Sequence, residues 1–220
     1  MNKDKVLSVE KLPVHGFVLA GGKSARMGED KALLKFRGRP LVEIAVEKLR
    51  GFCAAVSIAG NREDLSGFAP MVREKRVDCG PAAGIEAGLK AATEHWAMFV
   101  PVDVPLVPGE LLQRWAEEVL WMSEDGLTVS HLAAESGEHP AFCMLHRDCV
   151  KSIAKILDGG ERKLTKILEL AGEAEGFAWS HDLRELAANS DAAMIERWFM
   201  NVNTPQELAE AEAEADPLRG

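Results

Sequence analysis

The sequence predicts a three-layer α/β fold with a mostly parallel, doubly wound sheet. Short apolar runs alternate with stretches of helical periodicity, and strands joined through helices run parallel by crossover. A composition of 47% hydrophobic and 28% charged residues supplies a true core and sets the chain apart from disordered sequences. No internal repeat, low-complexity tract or Pro/Gly/Ser-rich linker divides the 220 residues, so 1–220 are expected to form one domain.

Residues 14–20 read as a first buried strand, stopped by Gly21-Gly22. Beyond Pro40, a residue suited to a first helical turn, Leu41, Ile44, Ala45, Lys48 and Leu49 recur at helical spacing. Residues 54–59 form a second strand. Gly80-Pro81 opens a helix with Ile85, Leu89, Ala92 and Trp96 on one face. A third strand at 98–102 precedes a helix marked by Leu111, Trp115 and Val119, and two further strands follow at 127–132 and 141–145. Two helical stripes come next, one through Val150, Ile153, Ala154 and Leu157, the other through Leu164, Ile167, Leu168 and Ala171. Gly159 and Gly172 stand where their C-caps are expected. Residues 199–202 read as a late strand before an acidic C-terminal helix. In such sheets ligands bind beyond the carboxyl ends of the strands, which directs attention to the residues just after each one.

The net charge of −9 argues against a general binder of nucleic acid or anionic membrane. Residues 21–50 nevertheless hold eight basic side chains against four acidic ones, which suggests a local anion site. The first eight residues lack the apolar stretch of a signal peptide, and no run approaches the roughly 18 apolar residues of a membrane span. The four cysteines show no CxxC spacing. A cytoplasmic protein with free thiols, and with no nucleic-acid or membrane partner, is the expectation.

The most informative stretch is Leu19-Ala20-Gly21-Gly22-Lys23-Ser24-Ala25-Arg26-Met27-Gly28-Glu29-Asp30-Lys31. Paired glycines after a strand let backbone N–H groups approach a phosphate, and Arg26 and Lys31 can neutralise a polyphosphate. A P-loop ending at Gly22-Lys23-Ser24 would need glycine where Phe17 stands, and the GxGxxG dinucleotide fingerprint does not fit adjacent glycines. Asp103, directly after the third strand, can hold Mg²⁺ beside a triphosphate; the alternative is an acid that starts a turn. Pro101 breaks one ladder hydrogen bond of that strand.

The pattern LAGG-x-S-x-R-M-G-x-D-K resembles the signature loop of nucleotidyltransferases that join a nucleoside monophosphate to a phosphorylated acceptor and release pyrophosphate. The resemblance implies a Rossmann-like nucleotidyltransferase fold, with Leu19, Ala20, Gly21 and Gly22 around the nucleotide. It also implies Arg26 on the leaving pyrophosphate, Lys31 bridging the attacked phosphate and Asp103 as the magnesium ligand. Asp78, in the turn Asp78-Cys79-Gly80-Pro81, becomes a candidate for the base or ribose, and Asn61 a further nucleotide contact or an ordinary turn asparagine. The intervening Arg73-Glu74-Lys75-Arg76 departs from the more acidic or apolar approach expected there, which leaves open which acid meets the base.

Thr204-Pro205-Gln206-Glu207 is a capping box and explains itself. Asn201 and Asn203, two apart in the expected strand, share a face and suit a polar ring such as a pterin, or else tie down loops. The stretch N-V-N-T-P-x-E-L is similar to the C-terminal motif of the molybdenum cofactor guanylyltransferase family. Glu138-His139-Pro140 and Gly160-Glu161-Arg162-Lys163 are also similar to that family, the latter opening a helix that ends at Leu170-Ala171-Gly172. His139 is either an acceptor contact or a polar residue before a strand. Cys143 and His146 are three apart in a strand and face opposite sides, so zinc is not expected.

The resemblance implies transfer of GMP from GTP to the terminal phosphate of molybdenum-molybdopterin, with Mg²⁺ as cofactor and transient contact with cofactor-synthesis or acceptor proteins. A cytidylyltransferase, a sugar- or polyol-phosphate nucleotidyltransferase, or a non-catalytic cofactor chaperone are the competing readings. The last would need none of Arg26, Lys31 and Asp103.

Overall fold

The structure is a computed structural model and describes residues 10–21, 31–187 and 190–214. Strand β1 (Leu12–Leu19) comes first, followed by a small antiparallel hairpin of β2 (Lys35–Phe36) and β3 (Arg39–Pro40). The chain continues through α1 (Leu41–Arg50), β4 (Cys53–Ala59), β5 (Met71–Val72), α2 (Pro81–Ala91), β6 (Trp96–Pro101) and α3 (Gly109–Met122). Then come β7 (Leu127–Ala134), β8 (Gly137–His146), α4 (Val150–Asp158), α5 (Leu164–Glu175) and β9 (Phe177–Asp182). Helices α6 (Leu183–Leu186), α7 (Ala192–Trp198) and α8 (Pro205–Glu214) complete the described chain.

Seven strands form one sheet in the order β5-β4-β1-β6-β8-β7-β9. Every neighbouring pair is parallel except those involving β8, which runs antiparallel to β6 and β7. The chain moves outward from β1 through β4 to β5, and β6 then returns to the other side of β1. Chain direction across the sheet thus reverses between β1 and β6, the place where open α/β sheets leave a crevice at their carboxyl edge.

Alternation along the strands sends side chains into two cores. Val14 and Val18 of β1, with Met98 and Val100 of β6, pack under α1, α3 and the C-terminal helices. Phe17 and Leu19, with Ala97 and Phe99, pack under α2, α4 and α5. The expected three layers are present, each face buried by helices carrying an apolar stripe. At Gly88 the helix α2 lies so close to the sheet that a Cβ would stand 2.5 Å from Phe99 Cε1.

Several expectations need correction. The α2 stripe stops at Ala91; Trp96 opens β6 instead, paired with Val14, because Ala92 is already extended (ψ 129°). Gly172 is not a C-cap but an interior residue of α5, placed where a Cβ would meet Ala178 N and Cβ at 2.6 Å. Gly159 does follow α4, in right-handed geometry, and Gly160 takes the left-handed φ of 91°. Residues 199–202 are not a strand: the segment pairs with no strand among the described residues, Phe199 and Met200 N–H turn back to the Glu196 and Arg197 carbonyls (3.2 and 3.1 Å), and Val202 N–H donates to Asp103 O (2.8 Å). Beyond these, the edge strand β9 and helices α6 and α7 occupy a stretch whose sequence pattern had not announced them.

Two polar networks cross the cores. Trp115 Nε1–H donates to Ser130 Oγ (2.9 Å), which also meets His181 Nδ1 (2.8 Å). Burial, with a smaller contribution from His131, lowers the His181 pKa to about 4. On the other face Glu86, buried in α2, accepts from Arg76 (2.6 and 3.2 Å) and Lys90 (2.6 Å), and Arg76 continues to Asp158 at the end of α4 (2.7 Å).

Candidate active site

Leu19 ends β1 between Ala59 of β4 and Pro101 of β6. Its carbonyl accepts from Val102 N–H (3.3 Å), so alternation turns the position of the Pro101 nitrogen the other way, toward β8. Pairing of β6 with β8 stops at Phe99–Cys143, two residues earlier. The missing N–H of Pro101 therefore falls where no ladder partner is offered, and β6 and β8 part to open a cleft. This cleft, of about 460 Å³, lies at the carboxyl edge and is lined from both sides of β1.

Asp103 follows β6 into the cleft, and Lys31 enters from the short 3-10 turn Lys31–Leu33. The Lys31 ammonium donates to Asp103 Oδ2 and to Asn203 Oδ1. These three groups come from positions far apart in the chain. The Lys31 and Asp103 side chains are only 21% and 18% exposed, so the pair is largely shielded. The bond from Val202 to the Asp103 carbonyl draws the Asn201–Asn203 segment to the same place, and Asn201 lines the cleft. Thr204 Oγ1 accepts from Glu207 N–H (3.0 Å), and Glu207 Oε2 accepts from Asn203 N–H (2.7 Å). The capping box thus fixes the backbone beside the Lys31 contact.

His139 lies on the β8 wall, its ring stacked on Phe199 (centroids 4.4 Å apart), and Phe199 in turn meets Phe142 edge-on (5.1 Å). Burial lowers the His139 pKa, Glu196 opposing, and its buried Nε2 finds no hydrogen-bond partner among the described residues. The result is an aromatic-backed imidazole on the cleft wall whose hold on a proton is weakened by burial.

Of the residues singled out from sequence, Leu19, Ala20, Gly21, Lys31, Asp103, His139 and Asn201 line the cleft, and Asn203 reaches it through Lys31. Asn61 and Asp78 are exposed and do not line it. Asn61 Nδ2–H donates to the Glu74 carbonyl (3.1 Å), and Asp78 takes φ +55° in the turn before α2. Gly22 and Arg26 lie outside the described residues. The Gly160–Lys163 run joins α4 to α5: Glu161 Oε1 accepts from the N–H groups of Arg162 and Lys163 (both 2.8 Å), and Leu164 just beyond lines the cleft. Sequence reasoning missed Arg62 and Glu74 on the wall beyond β4 and β5; for Glu74 the only signal was the unexpected charged run around it.

The crevice at a sheet's switch point is where open α/β folds bind their ligands, and the lysine and carboxylate gathered there suit the phosphates and metal ion of a nucleotidyltransferase. The chain belongs to the MobA-like NTP transferase domain family, whose model matches residues 16–175. It is 35% identical over 165 residues to the molybdenum cofactor guanylyltransferase of Serratia proteamaculans, covering 72% of this chain and 81% of that protein. It is 34% identical over 199 residues to the molybdenum cofactor guanylyltransferase of Vibrio cholerae, covering 88% of each. The fold is similar to that of molybdopterin-guanine dinucleotide biosynthesis protein A from Archaeoglobus fulgidus, with a TM-score of 0.71 and 21% identity over 91% of this chain and 97% of that one.

Proposed function

We propose that this protein transfers GMP from GTP to the terminal phosphate of molybdenum-molybdopterin, releasing pyrophosphate and forming the guanine dinucleotide cofactor. The observation that carries the reading is the convergence of Lys31, Asp103 and Asn203 at the end of β1 and β6, in a chain similar over most of its length to guanylyltransferases. An acceptor phosphate oxygen attacks the α-phosphorus of GTP, the bond to the bridging oxygen breaks, and pyrophosphate leaves with that electron pair. The acceptor is already an anion near neutral pH, so no side-chain nucleophile is needed, and the protein's work is positioning and charge neutralisation.

Lys31 bridges the attacked phosphate, and Arg26 holds the leaving pyrophosphate. Residues 19–22 wrap the nucleotide, with Asn61 and Asp78 as further contacts, and His139, Asn201 and Asn203 receive the acceptor. The parts present suit magnesium. Mg²⁺ is commonly held by one or two carboxylates together with substrate phosphates, and Asp103 offers a hard oxygen donor at the cleft. Among the described residues no three His, Cys, Asp or Glu gather into a cage of their own. Held by Asp103, Mg²⁺ supplies charge neutralisation on the phosphates. The reaction is assigned to the cytoplasm as part of this reading; no helix among the described residues is long and apolar enough to cross a membrane.

The test is the melting temperature with Mg²⁺ and each of GTP, CTP, ATP and UTP, with Asp103→Ala alongside. Selective binding to the folded chain raises it by mass action. A rise with GTP that is reduced in Asp103→Ala supports the proposal; a rise with CTP alone moves it to cytidyl transfer.

A further inference from the structure

Lys48 stands on the helical stripe of α1, beside Leu41, Ala45 and Leu49, which are buried in the core. Such a position suits an apolar side chain. Lys48 is instead partly buried between α1 and the start of α3, where a Cβ at Gly109 would stand 3.8 Å from its own Cβ. Burial lowers its pKa to about 8, the Glu110 carboxylate opposing. A charge drawn out of water is costly unless it is paired or hydrogen-bonded, and methionine would fill the same space without that cost.

What the ammonium meets gives the reason for it. Lys48 Nζ donates to the carbonyl of Pro105. Pro105 is buried, and the cavity it shares with Lys48 measures about 10 Å³, hardly room for one water. The carbonyl therefore depends on the lysine for a donor. Residues 101–108 join β6 to α3 and carry Asp103. Pro101, Pro105 and Pro108 lack a backbone N–H, so this segment has few donors with which to fix itself. Ties from outside fix it: Val102 N–H donates to Leu19 O (3.3 Å), Val202 N–H to Asp103 O (2.8 Å), and Lys48 to Pro105 O. Of these, the bond from Lys48 is the one that lies beyond Asp103. A carboxylate that shares Mg²⁺ with phosphates must be placed to within about 0.5 Å, because this ion tolerates little departure from octahedral geometry.

We propose that Lys48 is a positioning residue for the reaction: its ammonium, bonded to the Pro105 carbonyl, holds the turn that presents Asp103 to the metal and the phosphates. The proposal rests on the place given to Asp103 in the transfer reading above. Lys48 touches neither substrate nor metal and acts through the backbone.

The experiment compares the unaltered full chain with Lys48→Met, Lys48→Arg and Asp103→Ala by two readouts. One is pyrophosphate release from GTP with molybdenum-molybdopterin as Mg²⁺ is varied, which gives turnover and the half-saturating Mg²⁺ concentration. The other is amide hydrogen exchange of the free protein, compared between residues 102–107 and the helices α1 and α3. In Lys48→Met, half-saturating Mg²⁺ and exchange at 102–107 are both expected to rise about tenfold, the effect of losing one hydrogen bond from a charged donor. Exchange in α1 and α3 is expected to stay as it was. Lys48→Arg keeps a charged donor and is expected to restore both values toward those of the unaltered chain. Unaltered Mg²⁺ dependence in Lys48→Met would overturn the proposal. So would a Lys48→Met chain that does not fold, exchange that rises equally through α1 and α3, or failure of Lys48→Arg to restore either value, since each shows packing alone. If Asp103→Ala loses turnover while Lys48→Met is unaltered, the transfer reading stands and only the role of Lys48 falls. Unaltered turnover in Asp103→Ala, or none in the unaltered chain, would overturn both.

Discussion

Replacing Lys31 by methionine removes the ammonium from between Asp103 and Asn203 while keeping most of the side chain's length. In the free protein the loss is bounded by the geometry. The pair is about four-fifths shielded, which places it between an exposed pair, worth under about 1 kcal/mol, and a fully buried one, whose disruption costs about 3–5 kcal/mol. Asp103 keeps some access to water and can rehydrate, so a destabilisation of about 1–2 kcal/mol is expected. The effect on turnover should be larger. Lys31 is the one cation among the described residues whose ammonium meets Asp103, and losing a preorganised charged contact to a transferring phosphate costs about 100-fold or more. Pyrophosphate release from GTP in the presence of molybdenum-molybdopterin reads turnover, and urea denaturation of the same preparation reads stability. Lys31→Met folded at the temperature of assay and turning over at the unaltered rate would refute the role given to Lys31.

Three further outcomes follow from the cores. His181 is neutral in the folded protein with its pKa lowered to about 4; as pH falls below about 6.5 the unfolded chain takes up the proton first, so stability is lost between roughly pH 6.5 and 4. The full loss is on the order of 3 kcal/mol, and urea midpoints measured across that range should show it; a His181→Asn variant should flatten the slope. Glu86→Ala leaves Arg76 without its buried partner at the α2–α4 contact and should cost about 3 kcal/mol, read as a lowered melting temperature. Gly88→Ala, which would stabilise an exposed helix, should here destabilise by about 1–3 kcal/mol, because the new methyl meets Phe99; a variant more stable than the parent would contradict the packing.

Much of the sheet and the larger helices could be read from periodicity, because β1, β4 and β6 are near-continuous apolar runs and α1 to α5 carry buried stripes. Leu19 to Gly21, Lys31 and Asp103 were legible for a related reason: they sit directly after, or shortly beyond, strands whose ends could be seen. What stayed hidden depends on contacts between distant parts of the chain. The 199–203 segment has the apolar spacing of a strand, yet among the described residues its one long-range backbone bond is to Asp103, a bond no local pattern encodes. The edge strand β9 exposes Trp179 and buries His181, the reverse of what polarity suggests, and so it was not announced. Glu74 looked like one charge among four; its place on the cleft wall depends on close approach to Gly21 and Gly84, which bring no signal at position 74 itself.

The most direct test of the central claim is conversion of molybdenum-molybdopterin and α-labelled GTP by the purified protein with Mg²⁺, with CTP in parallel. The account predicts that label passes from GTP into a dinucleotide cofactor with one pyrophosphate released per transfer, and that this is lost in Asp103→Ala. Labelled product from CTP alone, or no product from either nucleotide with a folded protein, would contradict it.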